Sequence, residues 1–209
     1  MFDRTSAKPA TLPVTYELPS KFYQTGVKRI ADVILSVLLL PILLQIIALL
    51  YVRVRLAGGP GFFGHKRVGR DGRMFTCWKI RTMVTDAQER LDALLESAPE
   101  ARAEWERDRK LRNDPRITPL GRFLRRSSLE ELPQIFNVLK GDMSLVGPRP
   151  VPASELTMYG QHKSVYLAMR PGVTGLWQVS GRNDVTYDER ISMDTDYFNN
   201  VSFGLDLRI

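Results

Sequence analysis

Residues 33–52 read VILSVLLLPILLQIIALLYV, and the reading of this stretch decides the fold. Seventeen of the twenty are apolar or aromatic and none is charged. About 20 such residues match the hydrocarbon thickness of a bilayer. A helix of a water-soluble core ordinarily keeps a polar stripe, whereas this one is apolar all round. The segment is therefore expected in a membrane. Pro41, at its centre, removes the hydrogen bond to the carbonyl of Val37 and bends the helix. Basic residues flank both sides, Lys28 and Arg29 before it, then Arg53, Arg55, Lys66 and Arg67 after it. Positive charge beside a membrane segment favours the cytoplasmic side. A straight span would carry one of these clusters across, whereas a helix that dips into one leaflet, breaks at Pro41 and returns keeps both in the cytoplasm. The freed carbonyl then needs a partner, for which the Ser36 hydroxyl is a candidate. A single-pass helix tethering an anion-binding domain is the alternative.

Outward from this segment the composition is that of a globular protein, 44% apolar and 25% charged over 209 residues. The net charge of +7 favours anionic partners such as phosphorylated molecules or an acidic membrane surface. No basic stripe interleaved with aromatics appears, so nucleic acid is not an expected partner. Cys77 is the lone cysteine, which rules out an intramolecular disulfide. His65 and His162 are too few and too scattered for a histidine-rich metal site.

Residues 1–27 lack periodicity and read as a flexible leader, and their pattern is not that of a secretory signal. Residues 28–56 form the expected re-entrant helix. Residues 57–209 form a small cytoplasmic domain, so the fold class is α+β, mostly helical, in a monotopic membrane protein. Within that domain MFTCWKIRTM (74–83) reads as a short buried strand ending in Lys79 and Arg81. Residues 85–112 are charged and helical, with Thr85 and Gln88 at capping-box spacing and Pro99 dividing the stretch. This surface offers a place for a homo-oligomer to form. A helix through LPQIFNVLK (132–140) stops at Gly141, and another is expected near 186–199. The ending DLRI reads as a truncated terminus.

The chemistry concentrates at SSLEELPQ (127–134). Ser127 or Ser128 is placed to cap a helix whose first turn carries Glu130 and Glu131, which helix-dipole stabilisation alone explains at ~0.3–1 kcal/mol each. Yet Arg109, Lys110, Arg112, Arg116, Arg122, Arg125 and Arg126 against Asp114 leave a local excess of six positive charges. That crowd repels itself unless an anion resides there. Two carboxylates among cations can hold a divalent metal that bridges phosphate oxygens, or one can attack phosphorus. Arg149 lies between two prolines that stiffen its backbone, which suits a fixed phosphate contact.

KRIADVILSVLLLPILLQIIALLYVRV (28–54), HKRVGRDGRMFTCWKIRTM (65–83), SSLEELPQIFNVLKGDMSLVGPRP (127–150) and RPGVTGLWQVSGRN (170–183) together resemble the monotopic phosphoglycosyl transferases of bacterial exopolysaccharide and O-antigen synthesis. The resemblance runs from about residue 26 to the end. It is closest to the exopolysaccharide-initiating galactosyl- and glucosyl-phosphate enzymes. It implies an inner-membrane enzyme with its catalytic domain on the cytoplasmic face. The implied reaction moves hexose-1-phosphate from a UDP-sugar to undecaprenyl phosphate and releases UMP, with membrane lipids and Mg2+ as further partners. The family's nucleophilic, Mg2+-contacting Asp and its neighbouring Glu correspond here to Glu130 and Glu131. The expected Asp is thus replaced by its longer homologue, and a displacement of about 1 Å can cost ~10²-fold in rate. A pocket adjusted to Glu130 and a catalytically impaired scaffold are the two readings left open. Glu130 and Glu131 are the implied catalytic residues, with Glu130 also the implied metal ligand. Arg125 and Arg149 match phosphate-gripping arginines, Lys79 and Arg81 the basic strand end, and Trp177, Gln178 and Arg182 the region near the nucleotide. The family's serine before the kinking proline is Leu40 here.

Overall fold

The computed structural model describes residues 23–108, 111–181 and 185–209. The sequence-expected leader therefore lies mostly outside the described residues. Its last part, Tyr23–Val27, is a π-helical turn that docks on the domain, with Tyr23 buried and its hydroxyl donating to Asp206 at 2.7 Å.

Helix α1 (Lys28–Leu56) runs uninterrupted through Pro41. The expected break is thus not an interruption, and the Ser36 hydroxyl, wholly buried, forms no hydrogen bond among the described residues. The buried positions of α1, Asp32, Ser36, Ile47, Leu50 and Val54, fall at spacings of three, four and multiples near them, so one stripe faces the domain. Leu40, Leu43 and Ile46 fill the interval and pack with Ile80, Leu124 and Ile135. The other faces expose Ile30, Ile34, Leu38, Ile42, Leu49 and Leu56. Only 17% of the most apolar 18-residue window is buried inside the protein. A core helix would be covered, and an apolar surface of this length in contact with water would be costly. α1 is a membrane-associating element.

After α1 the chain forms an antiparallel hairpin of β1 (Phe62–Val68) and β2 (Met74–Ile80), with Phe63 opposite Lys79 and Arg67 opposite Phe75. Partners in an antiparallel pair share a sheet face, so Lys79, Cys77, Phe63, His65 and Arg67 lie on one side. β2 is half-buried rather than wholly buried, as its alternation shows. α2 (Ala87–Ser97) and α3 (Pro99–Asp108) follow, divided at Pro99 as expected. The Thr85–Gln88 capping box does not form: Asp86 holds the cap position and its carboxylate instead takes Arg90 Nε at 2.9 Å.

Next come α4 (Pro119–Ser127), capped by Thr118 with proline at its start, and α5 (Gln134–Lys140), ended by Gly141 at φ 94°. β3 (Ser144–Val146) pairs in parallel with β4 (Gly172–Thr174). Between these strands lie α6 (Ala153–Leu156) and α7 (Lys163–Ala168), and α8 (Leu176–Ser180) follows β4. α9 (Tyr187–Asn200) starts with a complete Thr186–Glu189 capping box, and α10 (Phe203–Arg208) closes the chain.

Two devices fix the parts that matter. The Asn137 side chain, 2% exposed, accepts from the Trp78 amide at 3.2 Å and donates to the Thr76 carbonyl at 2.8 Å, which pins α5 to the free edge of β2. The Tyr166 hydroxyl donates to the Val68 carbonyl at 2.8 Å and accepts from the Val151 amide at 3.1 Å, which ties the end of β1 to the segment after Arg149.

Candidate active site

Glu130 and Glu131 do not sit in the first turn of a capped helix. They occupy a 3-10 turn, Leu129–Glu131, wedged between α4 and α5. The Ser127 hydroxyl bonds backwards to the Phe123 and Leu124 carbonyls, and Ser128 adopts φ 58° as the chain reverses out of α4. A non-glycine residue in this region is uncommon and costs conformational energy. The reversal aims the two carboxylates at β2.

Glu131 Oε1 accepts from Lys79 Nζ at 2.7 Å, with both side chains about a quarter exposed. Glu130 lies beside this pair, half-buried, and its Oε2 is buried with no hydrogen-bond partner among the described residues. Burial, then the Glu131 charge, holds the Glu130 carboxyl above the usual carboxylate range, and Lys79 and Arg125 only partly oppose this. An unpartnered buried carboxylate oxygen is costly to keep, and this one is open to a ligand. Arg125 is steered here by Thr82, whose hydroxyl accepts from Arg125 Nε at 3.0 Å. That approach depends on Gly121, since a Cβ there would lie 2.0 Å from the Thr82 carbonyl oxygen.

Few of the seven basic residues near the acids act as the charge count suggests. Arg116 is locked in a buried pair with Asp114 at 2.7 Å, and Arg122 bonds the Ile117 carbonyl. Arg109 and Lys110 lie outside the described residues, as does Arg182. Arg125 is the one that bears on Glu130.

A second group forms around Trp177. The Arg190 guanidinium sits 4.7 Å and that of Arg149 5.9 Å from the Trp177 ring centroid. Pro148 and Pro150 flank Arg149; the Pro148 carbonyl accepts from the Gly172 amide at 2.8 Å, and Val151 pairs with Val68 at 2.9 Å. Arg149 is thus held rigidly, as its prolines suggest, but no hydrogen bond or ion pair joins it to Glu130 or Glu131 among the described residues. Arg67, opposite Phe75 on the hairpin, is near Arg149, its guanidinium lowered by burial and by the charge of that arginine. Beneath Arg190, Asp194 is buried, donated to by the Tyr159 hydroxyl at 2.8 Å, and pushed up to about 7 by burial. Gln178 donates to the Val173 carbonyl at 3.3 Å, a local contact that holds α8 against β4. Arg81 points elsewhere: its Nε bonds the Pro60 carbonyl and its guanidinium lies 5.5 Å from the Phe63 ring.

The structure therefore brings together Glu130, Glu131, Lys79 and Arg125 in one group, and Arg149, Arg190 and Trp177 in another. Arg67, Thr82 and Arg190 are additions the sequence reading missed. Arg67 was legible as the strand partner of the Lys79 face, whereas Arg190 is placed only by the packing of α8 on α9.

The donor set can accept Mg2+. Among the described residues no group of three or more His, Cys, Asp or Glu forms a cage. Mg2+, however, commonly takes one or two carboxylates and completes its shell with water and substrate phosphates. The free Glu130 oxygen suits that use.

The family model for bacterial sugar transferases matches residues 23–209. The chain is 53% identical over 182 residues, 87% of its length, to the undecaprenyl-phosphate galactose phosphotransferase of Salmonella typhimurium, of which it covers 38%. It is 45% identical to the exopolysaccharide production protein ExoY of Rhizobium meliloti, covering 87% of this chain and 81% of that one. It is 37% identical to the undecaprenyl-phosphate glucose phosphotransferase of Komagataeibacter xylinus, covering 96% of this chain and 37% of that one. The chain thus spans under two fifths of the length of two of these relatives and most of the third.

Proposed function

The chain belongs to the bacterial sugar transferase family, and from that premise we propose that it transfers hexose-1-phosphate from UDP-galactose or UDP-glucose to undecaprenyl phosphate, releasing UMP. The observation that carries this reading is the unpartnered, buried Glu130 oxygen beside the Lys79–Glu131 pair, on a domain held against an apolar helix.

Glu130 attacks the phosphorus that bears the sugar; an acyl-phosphate bond forms, and the phosphoanhydride bond to UMP breaks, UMP leaving with the bonding electrons. An oxygen of undecaprenyl phosphate then attacks the same phosphorus and frees the Glu130 carboxylate. Desolvation favours this role, because an ionised oxygen stripped of water is more basic and has no hydrogen bond to shed. Lys79 holds Glu131 in place beside Glu130. Arg125 stabilises charge on the reacting phosphoryl group, while Arg149 and Arg190 hold the far phosphate beside Trp177, which is itself buried. Glu130, with Glu131, is positioned to hold Mg2+, which when bound would neutralise diphosphate charge.

The domain sits on the cytoplasmic face of the inner membrane, with α1 entering one leaflet by a bend at Pro41 within a continuous helix. Support for this comes from both ends of α1 packing on the same domain, through Arg29 at one end and Val54 at the other. A soluble donor and a lipid acceptor then meet without either leaving its phase.

Purified full chain incubated with Mg2+, undecaprenyl phosphate and separate UDP-sugars tests the proposal. UMP release with UDP-galactose or UDP-glucose, abolished by Glu130→Gln, is the expected result. Failure of both the native chain and Glu130→Asp to release UMP would refute it and favour a silent scaffold.

A further inference from the structure

A cavity of about 60 Å³ lies beside the N-terminal end of α1, away from the Glu130 turn. Its walls include Lys28, Arg29, Arg70 and Arg170, with Asp32 as the one carboxylate. One water needs roughly 10–15 Å³ on this measure, so the space suits a group of several oxygens.

The charges around it are unbalanced. Lys28 is neutralised by Asp206 at 2.5 Å. Asp32 spends both oxygens inward, accepting from the Ser144 hydroxyl at 2.8 Å and the Leu145 amide at 3.1 Å. No acid pairs at such short range with any of the three guanidiniums among the described residues, although Asp32 and Asp71 attract Arg170 from a distance. Arg29 donates to the carbonyls of Val138 and Leu139, at the end of α5, and Arg170 Nε donates to the Gly141 carbonyl at 3.0 Å. Neither forms an ion pair among the described residues. Arg70 Nε is buried with no hydrogen-bond partner among the described residues, and the acid it faces, Asp71, stands 3.7 Å away. Burial, then the charges of Arg70 and Arg29, push the Arg170 guanidinium below its ordinary value, with Asp32 and Asp71 only partly opposing them.

Three guanidiniums held together against their own repulsion, with a donor left over, form a receptor for an anion. The position narrows its identity. The exposed apolar surface of α1 begins at Ile30, one residue beyond Arg29, and continues through Ile34, Leu35 and Leu38. The cavity therefore lies where hydrocarbon gives way to headgroups.

We propose that the cavity walled by Arg29, Arg70 and Arg170 binds a phosphate oxyanion, supplied in the membrane by the headgroup of an anionic phospholipid. The site is separate from the candidate active site, which lies at the opposite end of α5. It rests on the membrane placement of α1 and not on the transfer reaction. Its occupant would anchor the entry of α1 and fix the domain's tilt against the bilayer.

The full chain is reconstituted in nanodiscs of phosphatidylcholine with a minority of phosphatidylglycerol, and the lipids it retains are identified by native mass spectrometry. The detergent-purified chain is titrated in parallel with inorganic phosphate by calorimetry. Arg70→Gln removes a cation whose Nε makes no hydrogen bond among the described residues, so it tests the site at the cost of only the long, exposed contact with Asp71. Arg170→Gln is the second variant, and Arg73→Gln, on the same turn but outside the cavity wall, is the control. Retention of phosphatidylglycerol is expected to fall about tenfold in Arg70→Gln and Arg170→Gln, the loss of one charge-assisted hydrogen bond, and to persist in Arg73→Gln. Equal retention in all four proteins, or none in the native chain, overturns the lipid assignment. Phosphate affinity that is likewise the same in all four removes the anion site altogether. UMP release measured on the same preparations and on Glu130→Asp separates the two readings: lipid selectively retained with no turnover in either the native chain or Glu130→Asp refutes the enzyme alone, and turnover without retention refutes this site alone.

Discussion

Replacing Glu130 by Gln should abolish turnover and, at the same time, make the protein more stable at neutral pH. The carboxylate is half-buried beside Glu131, and its Oε2 has no hydrogen-bond partner among the described residues. Desolvation and the Glu131 charge outweigh the attraction of Lys79 and Arg125, so the native carboxyl keeps its proton to a higher pH than the same group in the unfolded chain. Between those two values the native state binds more protons, and stability falls as pH rises through the interval. The penalty is absent below the unfolded glutamate value of about 4.3 and complete above the raised native one. Partial exposure puts the penalty at the low end of the cost of an unsatisfied buried group, about 1 kcal/mol. For a chain of this size that corresponds to a Tm gain of roughly 2–4 °C. Thermal unfolding of both proteins in detergent, at pH 7.5 and stepwise down to pH 4, measures it. The advantage of Glu130→Gln should be greatest at pH 7.5 and vanish by pH 4. An equal or lower Tm at pH 7.5 would mean that Glu130 is already satisfied, and the case for a carboxylate kept free for phosphorus would fail.

Lys79→Met leaves Glu131 unpaired and removes a charge that favours ionised Glu130, so kcat/KM should drop ~10–100-fold and its acid limb should move to higher pH; an unmoved limb would detach Lys79 from Glu130. Asn137→Leu strands the Trp78 amide and the Thr76 carbonyl, and should cost about 2–4 kcal/mol, read as a fall of roughly 5–15 °C in Tm. A neutral result there would show that α5 is not held to β2 through this amide. Arg190→Gln should raise KM for the UDP-sugar several-fold with a smaller effect on kcat, and a pure kcat effect would move Arg190 from binding to chemistry.

The legibility of the fold tracked the range of the forces involved. α1 and α5 could be read because their signals are local: an unbroken apolar run for one and Gly141 as a stop for the other. The SSLEE segment could not. Its serines and acids satisfy the rules for a helix start, but the packing of Leu129 and Leu132 beside Leu124 and Ile135 favours a reversed turn there, with Ser128 at positive φ. The same local logic overstated the basic cluster, since charge counted along the chain does not show that Arg122 turns to the Ile117 carbonyl and that Arg125 is the one of the seven felt by Glu130. Lys79 with Glu131 was foreseeable only as two charged motifs; their meeting depends on β2 and α5 being joined by Asn137, a contact spanning about sixty residues of chain. Arg190 had no sequence signal at all. Pairing it with Trp177 needs the geometry of two helices, one of which is only five residues long.

The disposition of α1 can be argued furthest from its own contacts. Twenty-nine residues make a helix of roughly 43 Å, more than the ~30 Å of hydrocarbon, so length alone permits a span. The packing favours the one-leaflet disposition proposed above. The stripe from Asp32 to Val54 lies on the domain over most of that length, with Arg29 bonded to the end of α5 and Leu50 and Val54 in the same cluster as Leu124 and Ile135. A span would draw this polar domain into lipid or else strip Ile47, Leu50 and Val54 from their partners, at about 1.5–3 kcal/mol each. Both ends should therefore lie on one side of the membrane. Val27→Cys and Leu56→Cys, placed singly at exposed positions, report this directly, because the native Cys77 is only 1% exposed and will contribute little background. In sealed inside-out vesicles a membrane-impermeant maleimide should label both, and in right-side-out vesicles neither. Labelling of one from each side would show that α1 crosses the bilayer, and the packing of its stripe on the domain would then have to be abandoned as a description of the protein in its membrane.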